Sequence, residues 1–121
     1  MPDETAGLRL DAVRIRLNER ELVAVDRHIR PGETLTVMGP SGSGKSTLLA
    51  YVGGFLDPVF SGEGRVVCGG RDIAHLPAGD RHAGILFQDP LLFPHMSIGG
   101  NLVFAIPQAV KGRAVRRARA E

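Results

Sequence analysis

The segment from residue 39 to residue 47 constrains this chain most, and it runs Gly-Pro-Ser-Gly-Ser-Gly-Lys-Ser-Thr. Gly39, Gly44, Lys45 and Ser46 fill the four fixed positions of the pattern G-x-x-x-x-G-K-[ST], which is typical of a loop that cradles phosphate groups. The glycines lack a Cβ, so they let successive backbone N–H groups turn inward and form an anion-binding nest. The pattern therefore predicts a site for a nucleoside triphosphate.

The segments on both sides of the loop fit this prediction. Residues 34–38, Thr-Leu-Thr-Val-Met, are β-prone and predict a strand that ends at Gly39. Residues 46–52 predict a helix, and the pair Gly53-Gly54 predicts its end. A strand, a glycine loop and a helix in this order are what a phosphate-binding loop requires. The alternative, a Gly/Ser-rich surface turn, is therefore disfavoured.

The side chains of the loop suit a triphosphate that carries Mg²⁺. The positive end of the helix that follows the loop favours an anion. Lys45 supplies a mobile positive charge for the β and γ phosphates. Ser46 supplies a hydroxyl at the point where Mg²⁺ bridges those phosphates. The predicted nucleotide-binding residues of the loop are Gly39, Pro40, Ser41, Gly42, Ser43, Gly44, Lys45, Ser46 and Thr47.

Length and composition indicate one small globular domain. The chain has 121 residues, a hydrophobic content of 43% and a mean hydropathy of zero, which is ordinary for a soluble protein. We see no apolar run of transmembrane length and no signal-peptide pattern. The single cysteine, Cys68, excludes an intrachain disulfide and fits a reducing cytoplasm.

The basic character of the chain is concentrated at one end. The last eleven residues hold five of the 15 Lys and Arg residues, against one of the 13 Asp and Glu residues. Such a run is most often the solvated face of a helix. Because no aromatic residue is interleaved with these charges, we do not expect nucleic acid as a partner.

The remaining sequence predicts strands and turns around the loop unit. We expect a bulge at Ala12-Val13, where the apolar alternation slips. The other predicted elements are strands at residues 8–17, 22–29, 64–68 and 83–87, a hairpin turn at Glu19-Arg20, a loop at residues 61–64, a turn at Gly69-Gly70 and a helical turn at residues 72–76.

Four segments in order resemble the N-terminal part of an ATP-binding cassette (ABC) ATPase of the bacterial importer type. They are Arg-Pro-Gly-Glu at residues 30–33, the loop at 39–47, Gly-Ile-Leu-Phe-Gln-Asp at 84–89, and residues 92–102 with Leu-Phe-Pro-His-Met-Ser-Ile and Asn-Leu. The resemblance implies an α/β P-loop NTPase fold with an N-terminal antiparallel β subdomain. It covers residues 1–121 as a partial ATP-binding domain that stops before the helical subdomain.

The resemblance also implies ligands and partners. ATP and Mg²⁺ are the expected ligands, and Gln88, in the Q-loop, joins Ser46 as a metal contact or orients water. Asp89 follows the Q-loop glutamine, so it is not the Walker B acid. The expected partners are the transmembrane permease subunit and a second ATPase subunit, at the cytoplasmic face of the inner membrane. Phe93 and Pro94 are either core residues or part of the groove that receives the permease.

Residues 1–121 lack several motifs that the resemblance implies. We find no signature motif, Walker B aspartate, catalytic glutamate or switch histidine in them. We therefore expect the chain to bind ATP without hydrolysing it, and the strand before Gly39 to lack a neighbour. A fragment, a truncated gene and an incomplete sequence are all open. The family's base-stacking aromatic is also missing near Arg16 and Leu17, since no Phe, Tyr or Trp precedes Tyr51.

Other functions stay open on the sequence alone. A soluble ABC-type protein of DNA repair or translation would share the loop, as would an unrelated P-loop kinase or GTPase. A non-catalytic nucleotide-binding fragment is a further alternative. The segment around residues 86–93 resembles ATPases of thiamine, iron and polyamine importers, but the transported substrate cannot be deduced from these residues.

Overall fold

The computed structural model describes residues 5–121, which fall into two compact units that meet in sequence at Ile85 and Leu86. The elements are β1 (Leu8–Leu17), β2 (Arg20–Ile29), α1 (Lys45–Gly53), β3 (Phe60–Cys68), β4 (Arg71–Asp72), a 3₁₀ turn (Ala78–Asp80), α2 (Ile98–Phe104) and α3 (Arg113–Ala120). The first unit holds the helix α1 and an antiparallel sheet of four strands in the spatial order β2-β1-β3-β4. The second unit holds the two short helices α2 and α3.

A β-bulge in β1 confirms the phase slip that the sequence predicts. Ala12 has φ 52°, and the pairing with both neighbouring strands shifts there. Its backbone N–H donates to Asp26 Oδ1 at 3.1 Å. On the other side lies Gly64, where a Cβ would stand 2.4 Å from Ala12 O, so only glycine permits this approach. The bulge keeps three apolar residues of β1 buried: Leu10, Val13 and Ile15.

The core of the first unit lies between the sheet and α1. Its buried apolar residues come from β1, β3, α1 and the segment after β4, so the core joins parts of the chain that are far apart in sequence. Burial of each such side chain contributes about 1.5–3 kcal/mol relative to exposure. The buried apolar residues are Leu10, Val13, Ile15, Leu48, Val66 and Ile73.

One charged residue, Arg81, is buried beside this core, with 8% of its surface exposed. Its Nε donates to Leu76 O at 2.7 Å, and one terminal nitrogen donates to Ala74 O at 2.7 Å. The other terminal nitrogen donates to Tyr51 O at 2.8 Å and to Val52 O at 3.3 Å, in the last turn of α1. A cation at a helix C-terminus is favourable, and these bonds compensate the guanidinium for lost water.

Two strands predicted from the sequence do not form among residues 5–121. Residues 34–38 and 83–87 carry no strand pairing, and Met38 and Leu86 are 87% and 97% exposed. The prediction that residues 83–87 are a buried strand is therefore wrong for the described chain. A strand is stabilised by hydrogen bonds to a neighbour, and no described segment lies beside either stretch in a ladder. For residues 34–38, which precede Gly39, the lack of a neighbouring strand agrees with the expectation from the sequence.

Smaller differences concern the ends of elements. The predicted loop at residues 61–64 is instead part of β3, because β1 pairs with residues 61–63 and resumes pairing at Arg65, after the bulge. The hairpin turn lies at Asn18-Glu19, and Arg20 already belongs to β2. Residues 72–76 form the end of β4 and a turn closed by Leu76 N to Ile73 O at 3.1 Å, rather than a helical turn. The predicted turn at Gly69-Gly70 and the predicted end of α1 are confirmed.

Side-chain caps organise the second unit. Ser97 Oγ accepts from Gly100 N at 2.9 Å and begins α2. Phe93 N donates to Asn101 Oδ1 at 2.8 Å, and Asn101 Nδ2 donates to Phe93 O at 3.3 Å. Arg116 of α3 donates to four carbonyl oxygens at or after the end of α2: Val103, Ile106, Pro107 and Val110.

We expect Arg81→Met to lower the free energy of unfolding by about 2–3 kcal/mol, because it keeps the side-chain volume but leaves several part-buried carbonyls without their donor. Urea denaturation measures this loss. Arg65→Met is the matched control, since Arg65 pairs with Asp11 at the surface with 64% of its side chain exposed, and exposed pairs contribute little. Equal losses in the two variants would contradict the role of Arg81.

The chain's one tyrosine predicts a pH dependence. Tyr51 Oη donates to Gly64 O at 2.6 Å, and burial raises the pKa of Tyr51 above 10.0, although Arg81 opposes the rise. A raised folded-state pKa means that this stabilisation is complete below the unfolded pKa of about 10 and is lost as pH rises through the folded value. Phenolate absorbance should therefore appear at a higher pH in folded than in urea-unfolded protein. Tyr51→Phe should lose less stability than wild type above about pH 10, and equal losses would contradict the prediction.

Candidate functional site

The glycine loop leaves the N-terminus of α1 open as a site for an anion. Gly44 is the N-cap residue, with φ 99° and ψ 7°, and it offers no side chain to cap the helix. The helical hydrogen bonds begin with Leu48 N to Gly44 O at 2.9 Å. The N–H groups of the first turn therefore lack helical partners, and no acidic side chain stands in that turn. This arrangement suits a phosphate group.

Three contacts shape the loop before the helix. Ser43 N donates to Pro40 O at 3.2 Å and closes a turn. A Cβ on Gly39 would stand 2.7 Å from Ser43 Oγ, so the two residues are in close approach. The ammonium of Lys45 donates to Gly39 O, which folds this side chain back over the loop. The charge of Lys45 is thus held beside the nest.

A cavity of about 490 Å³ opens against the loop. That volume lies within the range of small-molecule sites, about 300–1,000 Å³. One wall is the loop and the first turn of α1: Ser41, Gly42, Gly44, Lys45, Ser46 and Thr47. The other wall comes from the strands: Leu17, Arg20, Leu22 and Phe60. The loop wall carries the donors and hydroxyls that a phosphate chain and its metal ion need.

The structure brings most of the predicted site residues together. Six of the nine loop residues line the cavity, while Gly39, Pro40 and Ser43 shape the turn behind it. Gln88 belongs to the second unit, where it is exposed in a bend between irregular residues. A shared metal contact of Gln88 and Ser46 therefore stays a prediction.

Of the strand wall, only Leu17 was placed near the nucleotide by the sequence, through the family resemblance. In the sequence, Phe60 lies between a Pro turn and a predicted loop, and Arg20 lies in a predicted hairpin turn, so neither position indicates a ligand contact. Only the pairing of β1 with β2 and with β3 brings these side chains beside the loop. The β-prone pattern of β1 was a signal for the sheet, but nothing in the local sequence indicates which strand ends face the phosphates.

A larger cavity, about 940 Å³, is confined to the second unit. Lys111, Arg113, Arg116 and Arg117 contribute to its lining. Arg116 is engaged with main-chain carbonyls, so it supports the fold of this unit. The larger cavity also has a lysine and an uncapped helix N-terminus, at Gly112, but its one hydroxyl residue, Ser97, caps α2. Since the loop wall adds three hydroxyl residues to its lysine and open helix N-terminus, we take the smaller cavity as the candidate site.

Comparison with known proteins identifies the family of this chain. A family model described as ABC transporter matches residues 22–121. The chain is 45% identical over 112 residues to a thiamine import ATP-binding protein of Cereibacter sphaeroides, covering 93% of this chain and 47% of that protein. It is 46% identical over 100 residues to an Fe(3+) ions import ATP-binding protein of Streptomyces avermitilis, covering 82% and 28%.

A third relative is a spermidine/putrescine import ATP-binding protein of Frankia alni. It is 43% identical over 93 residues, which are 76% of this chain and 19% of that protein. The chain thus spans about half, or less, of the length of these relatives.

We expect Gly44→Ala to lower the free energy of unfolding by about 1–3 kcal/mol. At φ 99° an alanine is strained, and its Cβ would stand 2.6 Å from Val23 Cγ2. Gly79→Ala is the control, because Gly79 lies in the 3₁₀ turn with no atom within 4 Å of an added Cβ. Thermal melts of both variants measure the difference, and a wild-type melting temperature for Gly44→Ala would refute the packing argument.

Proposed function

This chain belongs to the ATP-binding proteins of the ABC transporter family, and from that premise we propose that residues 39–47 hold the phosphates of ATP for an importer. The observation that carries the proposal is the cavity lined by the open N-terminus of α1, by Lys45 and by three hydroxyl residues, Ser41, Ser46 and Thr47. Backbone N–H groups of the loop and first turn bind phosphate oxygens. Lys45 turns from Gly39 O to the β and γ phosphates.

Mg²⁺ is the proposed companion of the nucleotide. Ser46 lines the cavity one residue after Lys45, and its hydroxyl is a hard oxygen ligand of the kind that Mg²⁺ prefers beside phosphates. Thr47 lines the same wall and serves the α-phosphate. Gln88 is the further proposed metal contact, because its amide oxygen is also a suitable ligand.

We place this activity in a larger assembly. The three relatives described above are named as import ATP-binding proteins, so the proposed partners are a permease and a second ATPase subunit. The site of action is the cytoplasmic face of the inner membrane. Among residues 5–121, no helix has the length and apolar character to cross a bilayer. Residues 1–121 constitute part of the ATP-binding domain in this proposal.

Turnover is not proposed for the 121 residues alone. A phosphoryl transfer needs a group that orients the attacking water and charges that stabilise the transition state. The signature motif, Walker B aspartate, catalytic glutamate and switch histidine are not in this sequence. The residues of the loop wall bind and orient the phosphates, which accounts for affinity but not for cleavage.

We expect Lys45→Met to weaken ATP binding at least about tenfold, because it removes the charge held over the loop. Isothermal titration with ATP and Mg²⁺ measures the affinity. Lys111→Met is the matched control, since Lys111 is the chain's other lysine and is exposed in the second unit. The proposal fails if both variants bind ATP like wild type. Phosphate release by wild type above the Lys45→Met background would contradict the expected lack of turnover.

A further inference from the structure

The strand wall of the loop cavity contains a single aromatic residue, Phe60. It is the first residue of β3 and pairs directly with Leu17 at the end of β1. Cross-strand partners project from the same face of a sheet, and both residues line the cavity. Both side chains are half-buried, so each keeps part of its surface available to a ligand.

The backbone of Phe60 is held in place by a turn. Phe60 N donates to Asp57 O at 3.0 Å, and Val59 N donates to Asp57 Oδ1 at 2.9 Å. The ring also packs at the edge of the hydrophobic core. An aromatic side chain positioned from both the backbone and the core offers a preorganised flat surface, which lowers the entropy cost of ligand binding.

The position of the phosphates limits where the rest of a nucleotide can lie. With the phosphate chain on the loop wall, the sugar and base extend across a cavity whose opposite wall is Leu17, Arg20, Leu22 and Phe60. A nucleobase is a flat aromatic surface that stacks on aromatic rings. Arg20 is the one polar side chain in this strand wall, so the wall is suited to the face of a base rather than to its edge.

We propose that Phe60 is the base-stacking residue of this nucleotide site and that Leu17 forms the apolar floor beside it. The inference rests on the proposed binding of a nucleoside triphosphate at the loop. Every base has a π-face, so stacking on Phe60 raises affinity without selecting one base strongly. Phe60 thus supplies affinity for the nucleoside, whereas Lys45 and the loop supply affinity for the phosphates.

The test compares two probes, ATP and inorganic tripolyphosphate, each with Mg²⁺. Phe60→Leu keeps an apolar side chain but removes the ring, so ATP should bind about tenfold more weakly. Tripolyphosphate has no base, and its affinity should stay at the wild-type value. Phe104→Leu is the matched control, because Phe104 lies in α2 and is absent from the lining of this cavity.

A rescue variant uses the pairing of the two strands. Leu17→Phe in the Phe60→Leu background returns a ring to the same cavity from the opposite strand and should recover most of the ATP affinity. Equal losses for ATP and tripolyphosphate in Phe60→Leu would show that Phe60 only shapes the loop, and would overturn the proposal. Unchanged ATP binding in Phe60→Leu would overturn it as well.

Fluorescence provides a second measurement that retains a ring at this position. The chain has no tryptophan, so Phe60→Trp introduces a single reporter. ATP should change its emission and tripolyphosphate should not; identical responses to both probes, or no response to ATP, would overturn the proposal. Failure of the proposed function is distinguishable, because wild type would then bind neither probe, or Lys45→Met would bind both as wild type does.

Discussion

The guanidinium of Arg81 joins the C-terminal end of α1 to the segment that follows β4. It donates to main-chain carbonyls of Tyr51 and Val52 on the helix, and of Ala74 and Leu76 on the segment. If the helix slid along the sheet, its carbonyls would move away from the guanidinium and leave a buried charge without partners, which is costly. The opposite end of the same helix is the phosphate site, so the geometry of that site depends on this distant contact.

The N-terminal end of α1 is positioned by close packing rather than by a charge. Gly44 lies so near Val23 of β2 that there is no room for a Cβ. The sheet therefore contacts the loop directly, and the ends of its strands form the second wall of the cavity. The antiparallel strands thus have two roles, since they bury the core through Val13 and Ile15 and border the candidate site through Leu17.

Several elements that depend on neighbouring residues were predicted correctly from local patterns. The helix after the loop, its end at Gly54 and the bulge at Ala12 all follow from short-range chemistry. The failures at residues 34–38 and 83–87 have one cause. Their β-prone composition predicts a strand, but a strand also needs a hydrogen-bonded neighbour, and no described segment supplies one.

The sequence by itself determined the phosphate loop, because nine consecutive residues contain the nest, the lysine, the hydroxyls and the helix start. It also pointed to the family, through segments whose order and spacing match. Only the tertiary structure decided which side chains face that loop and which charge secures its helix. Phe60 and Arg81 reach their positions through strand pairing and through hydrogen bonds that span up to 30 residues. Such contacts depend on how the chain packs and leave no periodic or local mark in the sequence.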